Sequence, residues 1–176
     1  MSSNSRFNEF IRILLDFETE YNRDGSVRVE RDPHDPGGTT KFGIDQRSHP
    51  GVNIAALTRA DAESIYWRDW LRMPCDELPC PLGELLMDIV QNGGPGAVWI
   101  QEAIGVKADG HIGPVTLAAA QAMSGSVTPM RAAVNYVCDQ RAERFKRLPG
   151  AARYLKGWLA RNETLRKWAL SKVQAA

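Results

Sequence analysis

The chain has 176 residues, 43% of them apolar and 24% charged, and 22 Lys and Arg against 21 Asp and Glu leave a net charge of +1. That composition suits a folded globular chain with material for a sizeable core. No stretch approaches the roughly 18 consecutive apolar residues of a membrane span, and no uncharged apolar core follows a basic start, so neither a membrane helix nor a cleavable signal peptide is expected.

Phe7, Phe10, Ile11, Leu14, Leu15, Phe17 and Tyr21 recur at helical spacing, which predicts an amphipathic helix over residues 6–22. The texture then changes. Residues 22–43 are rich in Gly and Pro, and Ser26–Glu30 alternates polar and β-branched residues after the turn pair Asp24-Gly25. A short hairpin followed by an ordered loop is predicted there. From Thr58, a good N-cap residue, the pattern is helical through Leu71. Leu82, Leu85, Leu86, Ile89 and Val90 form the next apolar stripe, which Asn92-Gly93-Gly94-Pro95 stops. Further helices are predicted over Gly96–Ile104, Val115–Met123, Thr128 to Arg147, and from beyond Gly150 to Lys172. The expected fold class is α+β, mostly α, in one domain spanning 1–176. Residues 6–80 hold the candidate chemistry and residues 81–176 form a helical part.

The small net charge conceals a division. Residues 1–88 carry 16 acidic and 10 basic side chains, whereas residues 89–176 carry 5 acidic and 12 basic. A basic half suits a polyanionic partner, although a charge run is as often a solvated helix face.

On a helical wheel Glu18 falls on the apolar stripe, one turn beyond Leu14, while Asp16 and Glu20 fall on the far side. A carboxyl group on a buried stripe near a helix C-terminus meets desolvation and the negative end of the helix dipole. Both favour the protonated form, which suits a general acid; a structural ion pair with an arginine would use the same position. The second element is the run from Asp32 to Ile44. Its prolines and glycines fix the backbone and allow close approach, so Asp35 and Thr40 are presented as candidates for the second catalytic group or for holding a water. Asp-Pro and Gly-Gly are also ordinary turn chemistry. Tyr66, Trp67 and Trp70 crowd one helix, and at least two of the three are expected in the core. The histidines His34, His49 and His111 have no partner at helical spacing, and Cys75, Cys80 and Cys138 match no zinc or redox motif. Neither a metal nor another cofactor is expected, and the thiols read as those of a reducing compartment.

Leu14-Leu15-Asp16-Phe17-Glu18, Tyr21 and the Asp32–Ile44 run resemble the catalytic signature of glycoside hydrolase family 108. These are N-acetylmuramidases found as phage endolysins and secretion-activator-like lysozymes. The family pattern Asp-Pro-x-Asp-x-Gly-Gly-x-Thr-x-x-Gly-Ile is matched at every fixed position. Asp88–Pro95, Gln101–Thr116 and Gly157–Arg161 are similar to the peptidoglycan-binding-type C-terminal region that accompanies it, so the resemblance covers essentially the whole chain. Two departures stand out. Thr19-Glu20 replace the Gly-Gly that usually follows the family glutamate, and about seven extra residues precede Asp32. Glu18 or Glu20 is then the family glutamate, and spacing from Leu14-Leu15 favours Glu18.

The resemblance implies a lysozyme-like fold with an N-terminal catalytic helix, a small β-hairpin and a C-terminal helical bundle. It implies hydrolysis of the β-1,4 bond between N-acetylmuramic acid and N-acetylglucosamine, with Glu18 as general acid. Asp35, Thr40 or the weaker Asp32 would act on the opposite face, and retaining and inverting outcomes both stay open. Tyr21, Asp32, Tyr66 and Asn92 are candidate substrate contacts. The implied partner is bacterial peptidoglycan, met by a monomer that neither inserts in the membrane nor binds nucleic acid. Such a protein would accumulate in a host bacterial cytoplasm and reach the periplasm and wall through a holin-type pore. A non-catalytic peptidoglycan-binding or secretion-assisting module is the alternative.

Overall fold

A computed structural model describes residues 3–31 and 38–173. Among them are seven α-helices and a three-stranded antiparallel sheet, the mostly helical α+β class expected. The chain divides into two compact units, Met1–Asp69 and Trp70–Ala176. Among the described residues no helix is long and apolar enough to cross a membrane.

In the first unit, α1 (Ser3–Glu18) buries Phe7, Phe10, Ile11, Leu14 and Leu15, the stripe that its spacing predicts. It ends four residues before the expected boundary. Asp24 Oδ1 accepts hydrogen bonds from the Ser26 amide at 2.9 Å and hydroxyl at 2.6 Å, and the Asn22 amide donates to Ser26 O at 2.8 Å. This local turn takes the backbone groups that a continued helix would need. Tyr21 therefore pairs with Val27 in an isolated antiparallel bridge instead of extending the stripe, and its side chain is 59% exposed.

The sheet consists of β1 (Glu30–Arg31), β2 (Thr39–Lys41) and β3 (Ile44–Asp45), with β2 in the middle. Glu30 lies opposite Thr40 in one ladder, and Thr40 opposite Asp45 in the other. Where a loop is expected up to Gly43, β2 and β3 thus form a hairpin around the two-residue turn Phe42-Gly43. Both turn residues have positive φ, 56° and 73°, as a type I′ turn requires. Phe42 is an unusual choice for this conformation, because a bulky residue at positive φ is strained by about 1–3 kcal/mol. Burial of its ring and a 2.8 Å hydrogen bond from the Tyr66 hydroxyl to Phe42 O offset that strain. Beside it, the Lys41 ammonium donates to Leu57 O at 2.7 Å and Ala55 O at 3.1 Å, tying the hairpin to the 3₁₀ turn Ile54–Ala56.

α2 (Arg59–Arg72) starts with the predicted Thr58 cap. The Asp61 amide donates to Thr58 Oγ1 at 3.2 Å, and Asp61 Oδ2 accepts from the Thr58 amide at 2.9 Å, a reciprocal capping box. Tyr66 and Trp70 are fully buried and Trp67 packs edge-on against Phe7 at 4.9 Å, so the aromatic cluster belongs to the core as expected.

The second unit holds α3 (Leu82–Gln91), α4 (Gly96–Ala103), α5 (Pro114–Ala122), α6 (Val127–Arg147) and α7 (Ala151–Lys172). α3 is apolar on nearly every side and is buried accordingly, although Val90, expected within its stripe, is 39% exposed. α6 and α7 pack together as a helical hairpin joined by Leu148-Pro149-Gly150. Met130, Val134, Val137, Cys138 and Phe145 supply the inner face of α6. Asp88 is completely buried, and two arginines neutralise it: Arg141 of α6 at 2.5 Å and Arg161 of α7 at 2.7 Å.

Candidate active site

The end of α1 and the β2–β3 hairpin enclose a cleft of about 160 Å³. It is smaller than the ~300–1,000 Å³ of pockets that engulf a small ligand, so it suits the reacting portion of a larger one. Glu18, the last residue of α1, and Thr40, at the centre of the sheet, both line it. The structure thus brings together two of the three predicted catalytic residues. The third, Asp35, and the candidate contact Asp32 lie outside the described residues.

Glu18 is half-buried and rests on the hairpin turn. A Cβ at Gly43 would lie 2.7 Å from Glu18 Oε2, 2.9 Å from Glu18 Cβ and 2.9 Å from the Tyr66 hydroxyl oxygen. Only a residue without a side chain allows the backbone to approach the carboxyl group and the phenol so closely. Tyr66 is therefore a buried support of the turn, with its hydroxyl directed to Phe42 O.

Glu20, Arg28 and Glu30 complete one wall. Arg28 pairs with Glu20 at 2.8 Å and lies 3.8 Å from Glu30, and its amide donates to Glu20 O at 2.7 Å. Arg28, in the segment between α1 and the sheet, thus engages Glu20, one of the two residues that stand where the resembled pattern has Gly-Gly. Glu20 is 63% exposed in this pair, whereas Glu18 is seated against Gly43. Lys41 is held by the carbonyls of Ala55 and Leu57. A carboxyl group packed on a tight turn, lining a small polar cleft together with a threonine, has the components for proton transfer to a leaving oxygen with a water held nearby.

Tyr21 is not among the cleft-lining residues. Asn92 belongs to the second unit, where it caps α3 and donates to Asp88 O at 2.9 Å. Sequence reasoning missed Arg28, Glu30 and Lys41, whose types and spacing give no sign that they share a cleft. Gly43 stood in the motif without a visible partner. A larger depression of about 340 Å³ lies between the 3₁₀ turn and α2, but its carboxylate, Asp61, is committed to the helix cap. Among the described residues no group of three or more His, Cys, Asp or Glu is arranged to hold a metal ion.

Residues 21–94 match the family model described as Glycosyl hydrolase 108, and residues 95–163 match the one described as Predicted Peptidoglycan domain. The first match begins at Tyr21, so Glu18 lies just outside it. The solved structure of Brucella abortus SagA is similar, with 26% identity, a TM-score of 0.78 and 98% of each chain covered. No curated protein matches the chain.

Proposed function

From the premise that the chain belongs to the Glycosyl hydrolase 108 family and continues into a peptidoglycan domain, we propose that it is an N-acetylmuramidase. It cleaves the β-1,4 bond between N-acetylmuramic acid and N-acetylglucosamine, with Glu18 as general acid. The observation that carries this reading is the seat of Glu18: the end of α1 delivers its carboxyl group into the cleft, and the Gly43 backbone fixes it there. Thr40, which also lines the cleft, or Asp35 in the same motif, holds the water or supplies the carboxylate on the other face of the sugar. Glu20 is the less suitable acid, because its carboxylate is exposed and paired with Arg28.

Turbidity loss of a peptidoglycan suspension tests the assignment. Glu18→Gln is expected to lower the rate by about 10²-fold or more, the usual scale for loss of a general acid, while wall binding persists. Glu20→Gln is expected to stay within about threefold, since an exposed ion pair contributes little. The reverse ranking would move the role to Glu20. Mass analysis of the released fragments identifies the bond: reducing-end muramic acid supports the muramidase, and free stem peptides with intact glycan would exclude it.

A further inference from the structure

We propose that the corner between α6 and α7 is a docking surface for the wall's glycan strand and the acidic stem peptides it carries, a reading that rests on peptidoglycan being the substrate. Three aromatic rings form a ladder from core to solvent there. Phe145 is buried, Trp158 packs against it in a tilted arrangement at 5.5 Å, and Tyr154 follows at 5.8 Å with 48% of its surface exposed. The inner rings hold Tyr154 in place, and Gly150, at φ 86°, brings the chain so close that a Cβ there would lie 3.1 Å from the Tyr154 ring. A fixed, exposed aromatic face loses little entropy on binding and suits the C–H face of a sugar.

The charges around the ladder are one-sided. Residues 144–162 contain six Lys and Arg and no Asp or Glu. Arg161 is taken by Asp88 and Arg144 by Gly93 O, and the neighbouring Glu143 pairs with Lys146. Arg153 and Lys156 remain exposed with no carboxylate pairing with them among the described residues, Arg147 is exposed with only the electrostatic influence of Glu143, and Arg153 lies over the Tyr154 ring at 5.1 Å from its centre. A glycan strand whose muramic acids carry stem peptides with free carboxylates complements this arrangement on both counts: sugar ring against ring face, and peptide carboxylate against cation. A bare polyanion would use the cations and leave the ladder idle.

Co-sedimentation with purified peptidoglycan sacculi tests the surface, using the full chain carrying Glu18→Gln so that the wall is not digested. Tyr154→Ala and Arg153→Ser are each expected to weaken retention about tenfold. The double variant Arg147→Ser, Lys156→Ser should weaken it and flatten its dependence on salt. Val115→Ala, at a position 73% exposed on α5, serves as the control expected to bind like the parent. Circular dichroism checks that each variant is folded. Retention unchanged in Tyr154→Ala and Arg153→Ser would overturn the surface. So would tighter binding to duplex DNA or anionic vesicles that sacculi fail to displace. If the wild-type chain clears sacculi while the variants bind normally, the surface alone is wrong; if it neither clears nor binds them, the proposed function falls as well.

Discussion

At the scale of single residues the site turns on one missing Cβ. Gly43 is legible in the sequence as a motif glycine, but spacing cannot say which side chain a glycine faces; the fold shows that it faces Glu18 and Tyr66. Gly43→Ala would put a methyl group 2.7 Å from Glu18 Oε2 and impose positive φ on alanine. The carboxyl group must then shift by a sizeable fraction of an ångström, a displacement that costs about 10²-fold in rate when catalysis depends on position. Lysis should fall by that order while the protein stays folded. Tyr66→Phe removes the hydrogen bond to Phe42 O and leaves a carbonyl without that donor, so it should cost about 1–2 kcal/mol in urea unfolding. A Gly43→Ala variant with full activity would show that Glu18 does not depend on this seat. Thr58 is the clearest case of a residue whose sequence signal was sufficient: a good N-cap residue ahead of a helical pattern placed the start of α2.

Among the elements, α1 and α3 were legible because burial of one face imposes a period that survives in the sequence, as in Phe7–Leu15 and Leu82–Ile89, whereas α6 was legible from its Thr128-Pro129 start and Pro149-Gly150 stop. Short elements leave no such trace. Tyr21 has the right spacing from Leu14 to extend α1, yet the Asp24–Ser26 turn outcompetes one more helical turn by satisfying the same backbone groups locally. The β2–β3 hairpin went unread for a different reason: its turn places Phe, not Asn or Asp, before Gly, and that choice is workable only with distant support, Tyr66 bonding Phe42 O and the Ala55 and Leu57 carbonyls holding Lys41. The start of α2 lends itself to measurement. Hydrogen bonds from the Thr58 hydroxyl and amide hold the Asp61 carboxyl below its ordinary value. A carboxyl group lowered in the folded state stabilises the protein above its unfolded value, near pH 4, and that contribution fades as pH falls through the folded one. Thr58→Ala should therefore lower stability at neutral pH, with a smaller difference from the parent in acid. An equal difference at both pH values would mean that Asp61 does not take part in the cap.

For the whole molecule, the division of charge proves to be partly internal. Of the basic excess counted in the second half, Arg141 and Arg161 neutralise buried Asp88, and Arg166 pairs with Asp139 and Glu163. A sequence count cannot separate such committed arginines from those at the α6–α7 corner, because the distinction lies in which helix faces which. The same packing sets the chemistry of Cys138. Its thiol is buried in α6, and its carbonyl accepts a hydrogen bond from Asn162 of α7 at 2.8 Å. Burial pushes the thiol up to about 11, with Arg166 and Arg141 pulling weakly the other way. An acid raised in the folded state is deprotonated first in the unfolded chain, so its contribution to stability is intact below the unfolded value of 9.0 and is lost as pH rises toward 11. Between about pH 8 and about pH 10.5 the parent should lose about 2 kcal/mol more than a Cys138→Ala variant, measured by urea unfolding at each pH. A thiol reagent should label Cys138 only as fast as the α6–α7 packing opens. Parallel stability curves for parent and variant, or labelling at the rate of an exposed cysteine, would show that the thiol is not enclosed between these two helices.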